Sequence, residues 1–242
     1  MSEVSRDRWM RAQQAEAAYW RRVRTDDVLF LRIAGEKAAA AAFLLEHASD
    51  ALSATKRGTA VEVGIGPFGI GVISLLPWSA DWLLIGVEPL PLVAPPASRL
   101  TAAMCEAVQE LPYQHVRGVG EHMPLRSGVC DLAVCHNVLE HVLSPREVLS
   151  ELCRTLRPGA HLLLGEDARS AGGAVKMRYY TRVVRRASFM VTAHPHSFTA
   201  AQLEGMAREA GLQIVAAERP ARSLMVRLRG RARRHHVVCR KA

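Results

Sequence analysis

No apolar run in this 242-residue chain is long enough to span a bilayer, because charges or prolines interrupt each one. The opening Met-Ser-Glu-Val-Ser-Arg-Asp-Arg-Trp lacks the apolar core of a secretory signal, so a cytoplasmic protein is expected. Paired cysteines are also missing. Cys105, Cys130, Cys135, Cys153 and Cys239 are odd in number and form no CxxC, which excludes a disulfide framework or a zinc knuckle and leaves small reduced core residues. The ten histidines are scattered, and only His194-Pro195-His196 and His235-His236 lie close together, without cysteine or acidic company in sequence. No metal is expected on that ground. Lysine is scarce at 4 residues against 28 arginines, and no internal repeat or low-complexity linker divides the chain.

What is present is a basic excess of +9, concentrated at Arg178 to Arg186 and Arg219 to Arg240. A localised basic surface fits an acidic partner: a phosphorylated small molecule, a nucleic acid or an anionic membrane face. A solvated arginine-rich face explains it equally. The run Arg227 to Arg234 lacks the interleaved aromatics of a base-stacking surface, which argues against nucleic acid.

Helical spacing of bulky residues predicts a helix over about 7–24 and a second over about 26–48, the latter started by Asp26 and Asp27. Strand and helix patterns then alternate. Strands are expected near 59–64, 82–88, 114–119, 130–135, 160–165, 212–218 and His235 to Arg240, with helices near 69–76, 96–110, 145–156 and 199–210. The expectation is an α/β fold with a doubly wound, mostly parallel, seven-stranded sheet. Residues 1–50 form an N-terminal helical cap on a binding domain of residues 51–242, with a basic insertion at about 166–195 after strand five.

The organising stretch is Val61-Glu62-Val63-Gly64-Ile65-Gly66-Pro67-Phe68-Gly69-Ile70-Gly71. A buried strand ends in glycines there, which permits a tight turn and lets a ligand approach the backbone. Glu88 closes strand two, 22 residues after Gly66, where a carboxylate can accept bonds from both hydroxyls of a ribose. An NAD-binding domain satisfies both features as well as any other nucleotide-binding domain.

Three further segments narrow the field: Gly118-Val-Gly120-Glu121-His122-Met123-Pro124-Leu125, then Cys130-Asp131 through His136-Asn137 to Glu140-His141, then Leu156-Arg157-Pro158-Gly159-Ala160. In order and spacing, from about Val61 to Leu164, the chain resembles class I S-adenosylmethionine-dependent methyltransferases of the type 11 branch, which includes enzymes of quinone biosynthesis and many small-molecule methyltransferases. The resemblance implies S-adenosylmethionine as cofactor, with Glu62, Gly64 and Gly66 shaping the pocket for its methionine part. Glu88 would hold the ribose, Gly120, Glu121 and His122 would lie by the adenine, and His136 with Asn137 would close the flank. The chain departs from the family at Phe68, Ala160 and Leu125, which leaves the shape of the methionine pocket open.

The implied activity is methyl transfer to a small-molecule acceptor, a hydroxyl of a biosynthetic intermediate that is acidic or phosphorylated. Such a hydroxyl must lose its proton, and histidine is the usual base. The candidates are His194 and His196, in a His-Pro-x-x-Phe stretch ending at Phe198, and His141, one helical turn after Asn137. In the insertion, Tyr180, Arg182 and Arg185 are candidate acceptor contacts on a basic amphipathic segment that also suits peripheral membrane contact. A nicotinamide-dependent oxidoreductase, or a binding subunit that has lost turnover, are the competing readings.

Overall fold

The computed structural model describes residues 4–78, 81–93, 98–109, 111, 113–170, 172–173, 192–218 and 233–242. Two helices come first, α1 (Arg6–Val23) and α2 (Asp27–Ala54). The Ser5 side chain accepts from Arg8 N to start α1, and Asp26 accepts from Leu29 N at 3.0 Å to start α2. The alternation that follows is β1 (Gly58–Val63), β2 (Trp82–Glu88), α3 (Arg99–Gln109), β3 (Tyr113–Arg117), β4 (Cys130–His136), α4 (Pro145–Thr155), β5 (Leu156–Ala168), α5 (Ala200–Glu209), β6 (Leu212–Ala217) and β7 (Arg233–Lys241). Pro145 suits the first turn of α4, since its missing N–H is one that a helix start leaves unpaired anyway. Thr199 and Gln202 form a reciprocal capping box at the start of α5.

The sheet has seven strands in the order β3-β2-β1-β4-β5-β7-β6, parallel from β3 to β5, with β7 antiparallel between β5 and β6. β1 is flanked by β2 and β4, so the connection direction reverses there and opens a crevice at the carboxyl ends of the strands.

Alternate residues of each strand feed two cores. Val61, Val63, Val87, Ala133, Cys135, Leu162 and Leu164 pack on the α4 and α5 side with Leu149, Leu152, Leu203 and Met206. Ala60, Leu84, Leu132, Val134, Leu163 and Val238 pack on the other side with Ala40, Ala41, Leu44 and Ala48 of α2. Residue 50, the expected edge of the helical cap, lies inside α2, whose buried face is one layer of this sheet.

The helix expected near 69–76 is not formed. Only a 3-10 turn, Ile73–Leu75, follows β1. Glycines at 66, 69 and 71 with Pro67 and Pro77 raise the cost of a helix beyond what so short a segment recovers. Likewise His141 does not follow Asn137 on a helix, because residues 137–143 form turns. The arginine-rich segment Arg178 to Arg186, with Tyr180, Arg182 and Arg185, lies outside the described residues. No helix among the described residues is long and apolar enough to cross a membrane.

Phe68, the departure from the family pattern, has a packing role. Its ring meets Trp20 edge-on at 5.7 Å and Phe30 at 5.8 Å, in a cluster with Val23, Ile70 and Cys105. This cluster fastens α1 and α2 onto the loop after β1. Phe68→Ala should therefore lower stability by about 3 kcal/mol, measured by urea unfolding, and loosen α1 as read by faster amide exchange over residues 6–23.

Candidate active site

The loop after β1 sets the site. Gly64 (φ 74°) and Gly66 (φ 81°) occupy the left-handed region that side chains rarely adopt. A Cβ on Gly64 would collide with Val138, and one on Gly66 would sit 3.0 Å from the Trp20 ring. The loop is held from below by a buried cation in place of a helix. Lys37 of α2 donates to Ile65 O at 2.9 Å and to Ile70 O. Burial pushes the Lys37 ammonium below its usual pKa, and Glu62 and Glu88 counter that shift. Glu62 is fully buried and accepts from Ile73 N at 2.9 Å, so it braces the loop and does not line the cavity.

Glu88 stands at the end of β2 on the cavity wall. Its Oε2 accepts from Gly66 N at 2.9 Å and its Oε1 from Leu90 N at 3.0 Å. Burial raises its pKa above the ordinary carboxylate value, and the two backbone bonds oppose the rise. Gly120 and Glu121 also line the cavity, but Glu121 Oε1 is committed to Leu143 N at 2.8 Å and Ser144 N at 3.3 Å. It ties the loop after β3 to the start of α4. His122 is exposed and off the wall.

After β4, Asn137 takes φ 61° and donates its N–H to Gly165 O at 2.7 Å. Buried Glu166 accepts from Val138 N at 2.7 Å and Leu139 N at 2.6 Å, which fixes the turn leading to His141. Arg234 of β7 donates to Asn137 Oδ1 and, at 2.7 Å, to Glu36 Oε2, joining β7, β4 and α2 across the crevice. His136 lines the cavity as a neutral imidazole, its pKa driven well down by burial.

These parts enclose a cavity of about 630 Å³. Its roof is α1: Trp9, Gln13, Glu16 and Trp20 recur at three to four residues and so share the face turned to the cavity. The same spacing is readable in the sequence, where these aromatics look like packing residues only. Lys37, Glu36, Asp167 and Arg234 are wall residues without any motif to mark them, and Glu140 joins them from the motif stretch that ends at His141.

Of the histidines expected to act on an acceptor, His141 and His194 line the cavity and His196 does not. His196 Nε2 donates to Val142 O at 2.9 Å, a structural bond. The His141 and His194 rings meet edge-to-face at 4.7 Å. His141 Nδ1 is 2.9 Å from Ala193 O and 3.4 Å from Glu16 Oε1, while Glu140 Oε1 lies 3.7 Å from His141 Nε2 and 3.6 Å from His194 Nε2. Burial dominates the charge states here. It pushes Glu16 up to about 7 and Glu140 up to about 9, and takes His141 down to about 3. A neutral imidazole with so little proton affinity is a hydrogen-bonding or ligating group and a poor general base.

A doubly wound sheet, a glycine loop at its reversal point and a ribose-type carboxylate 22 residues on still fit more than one nucleotide cofactor. A family model described as a methyltransferase domain matches residues 51–217. The chain belongs to that family. It is 32% identical over 118 residues to an uncharacterized 37.1 kDa protein in transposon TN4556 of Streptomyces fradiae, over 48% of this chain and 32% of the relative, so it spans about a third of that relative's length. Among solved structures it resembles the [4+2]-cyclase SpnF (TM-score 0.58, 16% identity, 83% of this chain and 79% of that one). It also resembles the YcgJ protein of Bacillus subtilis (0.54, 13%, 80% and 98%) and an arsenic(III) S-adenosylmethionine methyltransferase of Chlamydomonas reinhardtii (0.50, 19%, 76% and 62%). At such identities the likeness is one of fold: the class I methyltransferase fold.

In this methyltransferase domain the buried Lys37 replaces the helix start that the sequence pattern suggests behind the loop. Lys37→Met leaves Glu62 buried without its cation and two carbonyls without their donor. A loss of about 3 kcal/mol is expected, with part recovered in Lys37→Met/Glu62→Gln, both read from denaturant midpoints.

Proposed function

We propose that this domain transfers a methyl group from S-adenosylmethionine to a hydroxyl of a small, anionic biosynthetic intermediate. The strongest support is the placement of Glu88: a half-satisfied carboxylate at the end of β2, pinned by Gly66 N–H, on the wall of a cavity that also carries His141 and His194. Each of its oxygens accepts one backbone bond and keeps a lone pair for a diol. The residues fit the cofactor on a second count, since Gly64 and Gly66 line the same cavity and turn the loop there through left-handed backbone without side chains.

When bound, S-adenosylmethionine supplies an electrophilic methyl group on a sulfonium. The chain supplies position. Glu88 would hold the ribose, the loop at Gly64 and Gly66 the amino-acid part, and the wall at Gly120 and Val119 the base. α1 covers one side of the cavity with Trp9 and Trp20 and so narrows the access of water to the reacting centre. Alignment of two reactants in a dry crevice contributes several kcal/mol, up to roughly 7–11 in ideal cases. The acceptor side is the wall of Glu16, Glu140, His141 and His194. Arg182 and Arg185 are proposed to meet the acceptor's anionic group, on the strength of the basic sequence pattern around them.

Calorimetry with S-adenosylmethionine, S-adenosylhomocysteine and NAD tests the cofactor. Binding of the first two and not the third is expected, and tight NAD binding alone would overturn the proposal. Glu88→Ala should weaken S-adenosylmethionine binding at least about tenfold, one lost charge-assisted bond being worth roughly 1.5–3 kcal/mol.

The pH dependence has a definite sign. A ribose diol favours the ionised carboxylate, and burial makes the folded Glu88 hold its proton above the ordinary carboxylate pKa. Affinity should therefore fall with falling pH before the ordinary carboxylate range is reached. Glu88→Gln should remove that component of the profile, as titrations across a pH series would show.

A further inference from the structure

The roof and one end of the cavity bring together groups that no sequence motif connects. Glu16 comes from α1, Glu140 and His141 from the turn after β4, and His194 from the segment before α5. One ligand atom from each of Glu16, His141 and His194 falls within 4.8 Å of the others. Glu140 Oε1 stands 3.6 Å from His194 Nε2 and 3.7 Å from His141 Nε2. Two donors bound at 2.1 Å to a tetrahedral ion are roughly 3.4 Å apart, so the two Glu140 separations are within a few tenths of an ångström of a shared ion, and Glu16 would close in from the roof to complete the set.

We propose that Glu16, Glu140, His141 and His194 bind one divalent transition-metal ion, of the zinc, iron or manganese class, at the acceptor end of the cavity. The donor set selects the class. Magnesium and calcium favour oxygen ligands, whereas two imidazoles with carboxylates suit the first-row transition ions.

Three features of the geometry support a built site. A carbonyl can only accept, so His141 Nδ1 donates to Ala193 O at 2.9 Å and leaves Nε2 with its lone pair facing Glu140. A second-shell bond of this kind orients metal-ligating histidines in general. The backbone of the ligand turn is also pinned: Gln13 Nε2 donates to His141 O at 3.2 Å and His196 N to Glu140 O at 3.3 Å. Finally, all four side chains lie on the cavity wall, so an ion among them would keep a coordination position open to a small molecule. An acceptor's oxygen in that position would be held toward the cofactor end and made more acidic by the ion. That role rests on the methyl-transfer proposal; the presence of the ion does not.

The test uses the whole chain, stripped with a chelator and titrated with Zn²⁺ and Co²⁺ in the absence of any cofactor. One equivalent should bind with micromolar or tighter affinity, and bound Co²⁺ should show the visible absorption of a four- or five-coordinate site. His141→Gln/His194→Gln should weaken uptake by about 100-fold or more, while His122→Ala, exposed and off the cavity, should not change it. Where the double variant does not fold by circular dichroism, Glu16→Gln alone should weaken uptake by about tenfold. No uptake by the wild type, or a full equivalent retained by a folded His141/His194 variant, would overturn the assignment. S-adenosylmethionine titrated into the same metal-free protein separates the two proposals. Cofactor binding without metal uptake sinks the ion alone, and metal uptake without cofactor binding sinks the methyl-transfer reading alone.

Discussion

A single hydrogen bond, Gly66 N–H to Glu88 Oε2 at 2.9 Å, is where the sheet becomes a site. It runs between the loop after β1 and the end of β2, strands that are parallel neighbours in register from Gly58 and Trp82 onward. The register delivers Glu88 one step past Val87, opposite the loop, and the left-handed glycines turn the loop's N–H toward it. Neither half suffices. A strand-end carboxylate without the loop would be solvated, and the loop without the carboxylate would have no fixed height above the sheet. Because β1 lies between β2 and β4, the same bond fixes the level at which Asn137 and Val138 close the other side of the crevice.

The loop needs a further constraint, because no α-helix follows it. In a doubly wound fold the usual helix start would gather loop dipoles and offer positive charge. Here Lys37 reaches up from α2 and takes the carbonyls of Ile65 and Ile70, while Glu62 takes Ile73 N–H. A buried ammonium is costly unless its donors are used and its charge is met. Two of its three N–H groups are used on those carbonyls, and the carboxylates of Glu62 and Glu88 act as counter-charges. Phe68 then makes the loop part of a core with Trp20 and Phe30. The N-terminal helices thereby become a structural part of the crevice, and the residue that breaks the family's glycine pattern is the one that anchors them.

Much of the sheet was legible in the residues alone, and the reason is periodicity. β2 and β4 are buried on both faces and read as nearly unbroken apolar runs, bounded by charge or glycine, so their ends at Glu88 and His136 could be placed closely. The helix near 69–76 misled, because its apolar residues carry the pattern while the glycines and prolines among them veto the conformation. β5 began earlier than expected, at Leu156, since Pro158 and Gly159 sit within the strand at an irregular register against β4. Function split similarly. Gly64, Gly66 and Glu88, marked by type and spacing, all line the cavity, whereas Glu121, also on the wall and read as a ligand contact, spends one carboxylate oxygen on the Leu143 and Ser144 N–H groups. Its carboxylate does the work of a helix cap at a distance, a role invisible without the loop geometry.

The acid–imidazole cluster is the opposite case, legible only in three dimensions. Each member has an ordinary explanation in its own segment: Glu16 on a polar helix, Glu140 and His141 in a common turn, His194 before a proline. What joins them is α1 lying across the crevice, held there by Phe68 at one end and by Gln13 donating to His141 O at the other. Two carboxyl groups and two imidazoles brought into one corner of the cavity compete for the same few protons, and burial keeps Glu16, Glu140 and His141 from their ordinary charge states. Such an arrangement is expensive to maintain for packing alone, since apolar side chains of similar volume would fill the same space without desolvating charge. The proposed cation, shared by all four, would turn that liability into binding energy and would place the strongest local charge of the cavity at the end proposed to hold the acceptor.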